Sequence, residues 1–210
     1  MKKVAVLFII ILCATVAAIG QVRTPKLTVY RDFKPSTIRL TDGRAIRQSL
    51  TNIFLKNSSL LYMRGSVSME ANMDNIVSVK FDDREYFKID TVLAYPVDSV
   101  GQDILYCATV MDLESYVNQL KNNQVITNLS LGGDQMATTT IDLSNDEDYK
   151  FPLINLYYFR YKGEIIKAHE RHMLRQLPKD KRRILKTFYG MNDFSWTDET
   201  CLMKLLKALQ

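Results

Sequence analysis

The chain has 210 residues, of which 47% are hydrophobic and 24% charged, a composition that is ordinary for a globular protein. After the first twenty residues no stretch approaches the ~20 apolar residues that a membrane-spanning helix needs. The net charge is +5, but it is uneven: Arg160 to Lys186 carries ten Lys and Arg against three Asp and Glu. This length is enough for one large or two small domains.

The first twenty residues have the pattern of a secretory signal peptide. Met1–Lys3 is positively charged, Val4–Val16 is apolar, and the small residues of Ala18–Gly20 place a cleavage site before Gln21. The alternative is a retained anchor, which the short apolar run disfavours. Lipidation of Cys13 is rejected, because this residue lies inside the apolar run and follows a bulky leucine. We therefore expect an exported protein, periplasmic or at the cell surface.

Residues 36 to 111 are predicted to be β-structure, because short β-branched and aromatic runs alternate with turn-forming residues. The strongest local signal is Asp42–Gly43, a dipeptide typical of tight hairpins. A further turn is expected over Ser99–Gln102. The predicted strands are Thr37–Thr41, Arg44–Gln48, Ser49–Lys56, Leu60–Arg64, Val67–Ala71, Ile76–Phe81, Glu85–Ile89, Val92–Asp98 and Asp103–Met111.

The remainder of the chain mixes helices and strands. Apolar residues at helical spacing predict a helix over 112–122, and an aromatic-rich strand is expected over Phe151–Tyr161, with a hairpin returning through Ile165 and Ile166. A helix is expected from Pro178 to Gly190. A last helix follows Ser195, which with Asp198 resembles a capping box.

These elements predict an α+β fold. An antiparallel sheet or half-barrel forms the N-terminal domain, and a mixed segment with C-terminal helices follows it. The predicted division is a signal peptide over 1–20, a β-rich domain over 21–111 and a mixed α/β segment over 112–210.

Cys107 and Cys201 are the only cysteines left after leader cleavage. An oxidising compartment permits them to pair, which would close a long loop and stabilise the fold by roughly 4–5 kcal/mol in the entropic model. The alternative is two buried thiols that act as small hydrophobic residues.

Three segments, "IRLTDGRAI", "IFLKNSSLLYM" and "NIVSVKFDDREYF", resemble a β-module of exported, uncharacterised proteins of Bacteroidota-type bacteria, over about residues 38–89. The resemblance implies a small bent sheet and no activity. In that bacterial group Asp-Ser/Thr followed by an aliphatic residue is O-glycosylated, which would make Thr91 and Ser99 acceptors. The segment "LTDGRAIRQSLTNIF" is also similar to Sm-like barrels, but no second Sm-type motif follows, and no nucleic-acid binding is expected.

Two further groups of residues are candidates for binding. His169 and His172 are three residues apart, so on a helix they could meet one metal ion, although no third ligand is evident and neighbouring cations oppose it. Cations beside apolar residues resemble an interfacial helix that contacts an anionic membrane surface, the alternative being the solvated face of a docked helix. These cations are Lys179, Lys181, Arg182, Arg183 and Lys186.

No catalytic motif, phosphate-binding loop or dinucleotide fingerprint occurs, and no cofactor is expected. The leading hypothesis is a non-enzymatic envelope protein that acts as a binding or assembly module, with an envelope protein or glycan as partner. The alternatives are an enzyme whose site the spacing does not reveal, and a peripheral membrane protein that uses the basic helix.

Overall fold

The computed structural model describes residues 23–24, 27–122, 151–190 and 193–210; the predicted leader lies outside these ranges. The described strands are β1 (Arg23–Thr24), β2 (Lys34–Leu40), β3 (Ala45–Phe54), β4 (Ser59–Arg64), β5 (Val67–Glu70), β6 (Ile76–Lys80), β7 (Glu85–Ile89), β8 (Val92–Val100), β9 (Asp103–Met111), β10 (Phe151–Tyr161) and β11 (Glu164–Lys167). The described α-helices are α1 (Leu113–Asn122), α2 (Glu170–Gln176), α3 (Lys179–Tyr189) and α4 (Glu199–Leu209), and Met73–Asn75 forms a 3₁₀ turn.

All described strands belong to one antiparallel sheet, in the order β1-β10-β9-β8-β7-β6-β2-β3-β4-β5, with β11 paired to β10. The expected Asp42–Gly43 turn joins β2 to β3, and Gly43 adopts a φ of +84°, which an L side chain rarely tolerates. Because β10 pairs with β9, the β-rich and mixed segments share this sheet.

The N-terminal part of the sheet is strongly bent. The turn between β3 and β4 folds back onto β8, where the Leu93 N–H donates to the Ser58 carbonyl at 2.7 Å and the Ser58 hydroxyl donates to the Leu93 carbonyl at 2.7 Å. The Met111 N–H also donates to the Leu55 carbonyl at 2.6 Å. This bend encloses one apolar core, formed by Ile53, Leu60, Ile76, Val79, Phe81, Tyr86 and Leu93. The antiparallel sheet and the mainly C-terminal helices confirm the expected α+β architecture.

A second core lies between the helices and the β9–β10–β11 part of the sheet. Tyr157, Phe159 and Tyr161 point into it, while Tyr158 packs in a separate cluster, as strand alternation predicts. The helices contribute Met173, Leu185, Leu202, Met203, Leu205, Leu206 and Leu209, and Leu177, the residue that follows α2, also belongs to this core.

Three local predictions were wrong. The two predicted strands Arg44–Gln48 and Ser49–Lys56 form one strand, β3. Its pairing with β2 continues past Gln48 because the register shifts between Lys34 and Ser36 of β2. Ser99 is not in a turn: it pairs with Ile104 near the end of β8. Ser195 does not cap the last helix, since it is the Asp198 carboxylate that accepts the Cys201 N–H, at 2.7 Å.

Candidate functional site

The basic residues of α3 divide into two groups. We use the name basic face for Lys179, Arg182, Arg183 and Lys186, which are spaced three and four residues apart and so share one side of the helix. These four side chains and Leu174 of α2 line a surface pocket of about 430 Å³. Lys181 points elsewhere, and its ammonium group donates to the backbone oxygen of Gln210 at 3.1 Å.

Arg182 is held in place by the end of α2. Its Nε donates to the Leu177 carbonyl at 2.7 Å and its Nη2 to the Arg175 carbonyl at 3.4 Å. The last carbonyls of a helix have no partner within the helix, so Arg182 caps α2 from the next helix. Arg182 thus has a structural role in addition to its charge.

The basic face carries positive charge that no ion pair neutralises among the described residues, and Asp180, in the first turn of α3, is the only acidic residue of this helix. None of its four side chains forms an ion pair with any carboxylate in the described part of the chain. Lys34 of β2, by contrast, is neutralised, because its ammonium nitrogen lies 3.5 Å from a carboxylate oxygen of Asp82 and 3.7 Å from one of Asp83. The field of the basic face is therefore directed at solvent, where it can attract an anionic partner.

The apolar side of α3 is used for packing inside the protein. Leu185 is fully buried, and Ile184 and Phe188 are partly buried against the same core. An interfacial helix that inserts into a bilayer needs a free apolar side. The basic face is therefore suited to electrostatic contact rather than to insertion. Among the described residues, no helix has both the length and the apolar character to span a bilayer.

The structure brings the two histidines together. Their ring centroids are 5.8 Å apart, and the Nδ1 atom of His169 accepts the Arg171 N–H at 3.2 Å as the N-cap of α2. Desolvation and the nearby charge of Arg175 lower the pKa of His172. Over the described ranges, no group of three or more His, Cys, Asp and Glu could hold a metal ion.

Both cysteines are free thiols in this structure, with Cys107 buried and Cys201 half-buried. Burial raises the pKa of the Cys107 thiol, which makes it a poor nucleophile. Their pairing in an oxidising compartment stays a prediction, and titration of the unfolded protein with a thiol reagent would test it. Thr91 and Ser99, the expected glycan acceptors, are both exposed.

The dense aromatic segment of β10 belongs to the interior of the protein. Burial raises the pKa of Tyr157 to about 12, and the Tyr161 hydroxyl donates to the Leu209 carbonyl at 3.0 Å. These rings are therefore part of the interior, and Tyr161 connects the sheet to α4.

Comparison of this chain with protein-family models, with curated proteins and with solved structures gives no significant match.

Proposed function

We propose that this protein is an exported, non-enzymatic binding module of a bacterial envelope, and that its basic face docks onto anionic lipid headgroups. The observation that carries the proposal is the convergence of four cationic side chains on one pocket, where no carboxylate of the described ranges forms an ion pair with them. Like charges in one place repel one another, and an anionic surface removes that cost.

The predicted leader supports the export part of the proposal. Export would bring the basic face within reach of membrane surfaces outside the cytoplasm. Intact-mass measurement of the protein from its native host tests this part. We expect a mature chain that begins at Gln21, and a chain that still begins at Met1 would contradict cleavage.

Vesicle sedimentation tests the docking itself. We expect the protein to bind phosphatidylcholine vesicles that contain phosphatidylglycerol, to ignore pure phosphatidylcholine vesicles, and to dissociate as salt is added. Each Lys or Arg near an anionic surface contributes about 1 kcal/mol. Changing Lys179, Arg183 and Lys186 together to glutamine should therefore weaken binding roughly a hundredfold.

A charge-matched variant provides the control. Arg39, Arg64 and Lys80 are exposed on the strands of the bent sheet. Changing these three residues to glutamine removes the same net charge from another surface. If both triple variants lose binding equally, the protein responds to net charge alone and the basic face is not its docking surface.

A second candidate function, assembly through a sheet edge, is favoured by one observation. β3 pairs with β4 only from Thr51 to Phe54, so among the described strands residues 45–50 of β3 have no paired neighbour on that edge. Ile46 and Leu50, each 44% exposed, lie in this unpaired stretch. A strand from a second copy could add there. Sedimentation analysis should then show an oligomer that Ile46→Lys dissociates, and a wild-type monomer at all concentrations would exclude self-assembly.

A further inference from the structure

The pocket at the basic face is a depression of about 430 Å³ that is open to solvent, so a bound group would remain partly hydrated. Leu174 provides an apolar wall beside the four cationic side chains. Such a lining can hold an anionic group together with part of the organic moiety that carries it.

Arg182 is oriented before any ligand arrives. Its two hydrogen bonds to the end of α2 use two of its five N–H donors and leave three for a ligand. A guanidinium presents such donors as a planar fork that contacts two oxygens at once. Because the side chain is already immobilised, binding costs little further conformational entropy.

The number of cations favours a phosphoryl group over a carboxylate. A phosphomonoester has a charge of about −1.5 to −2 at neutral pH and three acceptor oxygens, whereas a carboxylate has one charge and two oxygens. The fork of Arg182 can take two of the phosphoryl oxygens. Lys179, Arg183 and Lys186 surround the same pocket and can reach the remaining oxygen and the residual charge.

The position of the pocket adds to this preference. Lys179 is the first residue of α3, and no side chain in the described part of the chain caps this helix end, although Asp180 lies in its first turn. A helix N-terminus carries partial positive charge, so cations placed there are unfavourable and an anion is favourable. A bound dianion would relieve both this cost and the repulsion within the basic face.

We propose that this pocket recognises a phosphoryl group, carried by a lipid headgroup or by a soluble phosphorylated compound, with Arg182 as its fixed anchor. This inference rests on the proposed use of the basic face for binding. It adds the chemical class of the recognised group.

Titration of the ¹⁵N-labelled protein with inorganic phosphate tests the preference. We expect phosphate to shift the amide signals around the pocket and to bind roughly tenfold more tightly than acetate at equal ionic strength. Arg182→Lys keeps the charge but removes the fork, and it should abolish this preference. Since this change also uncaps α2, the double variant Lys179→Gln/Lys186→Gln provides a second test that leaves the cap in place. Lys204→Gln, on α4, is the control.

Vesicles of equal total charge identify the source of the group. Stronger binding to phosphatidate, a phosphomonoester, than to phosphatidylglycerol would support a lipid headgroup. Binding of inorganic phosphate without binding to either vesicle would support a soluble compound and contradict lipid docking alone. Vesicle binding that follows total charge, with phosphate no tighter than acetate, would overturn this inference and leave the proposed docking intact.

Discussion

Replacing Lys179 with glutamate should stabilise the protein and weaken its binding to anionic vesicles at the same time. Lys179 is the first residue of α3, where an acidic residue interacts favourably with the helix dipole by about 0.3–1 kcal/mol. Arg183 lies four residues later, so the substitution removes a repulsive i,i+4 pair and creates an attractive one. The lost repulsion and the gained attraction each contribute about 0.2–0.5 kcal/mol. Together these effects predict a gain near 1 kcal/mol.

Thermal unfolding measures the gain, which for a protein of this length corresponds to a rise of roughly 2–4 °C in Tm. Vesicle sedimentation measures the loss. One attractive charge disappears and one repulsive charge replaces it, so affinity for phosphatidylglycerol vesicles should fall roughly thirtyfold.

Arg64→Glu makes the same change of charge on the exposed end of β4 and provides the control. It should alter neither Tm nor binding by comparable amounts. A lower Tm for Lys179→Glu would show that the basic face stabilises the fold. Unchanged binding would show that the protein does not bind through this surface.

Two other positions give predictions that do not depend on a ligand. Asp103 is buried, and its carboxylate accepts hydrogen bonds from the Lys162 N–H at 2.6 Å and from the side-chain amide of Gln210 at 2.7 Å. Asp103→Ala should therefore lower the free energy of unfolding, measured by urea titration, by about 3 kcal/mol. A loss below about 1 kcal/mol would show that these hydrogen bonds are dispensable. Desolvation, and to a smaller extent the charge of Arg175, lower the pKa of His172. We expect NMR titration to give His172 a pKa below that of free histidine, and this pKa should rise towards the ordinary value in Arg175→Gln. With a lower pKa in the folded protein, His172 binds its proton more readily in the unfolded chain, so protonation of His172 lowers the stability of the fold as pH falls through the ordinary histidine range. A pKa of His172 that does not change in Arg175→Gln would contradict the role of the Arg175 charge.

Much of the fold could be predicted because its signals are local. Asp42–Gly43 specifies a hairpin from two residues, and the alternation along Phe151–Tyr161 assigns each ring to a face of the sheet. α3 also ends at Gly190, as the sequence predicts, although Gly190 keeps right-handed helical angles (φ −75°, ψ −9°) instead of the left-handed ones of a typical glycine stop. In each case the residues that decide the outcome are neighbours in the chain.

The missed features depend on contacts between distant residues. Nothing in the local sequence around Ser58 indicates that it would hydrogen-bond to Leu93 and bend the sheet. The register shift that lengthens β3 depends on its pairing with β2. Such contacts depend on strand order, which turn and periodicity signals do not specify.

The candidate site was predictable in part. Helical spacing alone separates Lys181 from the basic face, and the sequence interpretation treated all five cations as one group instead. The capping of α2 by Arg182 could not be predicted, because it requires the angle between two helices. The same is true of Leu174, which reaches the pocket from α2.

Lysine footprinting shows which surface of the protein contacts anionic vesicles. The full-length mature protein is acetylated with and without phosphatidylglycerol vesicles, and modification at each lysine is measured by mass spectrometry. We expect vesicles to protect Lys179 and Lys186 from acetylation and to leave Lys80 and Lys204, which are exposed elsewhere, unchanged. Equal protection at all four lysines, or protection only at Lys80 and Lys204, would contradict docking through the basic face.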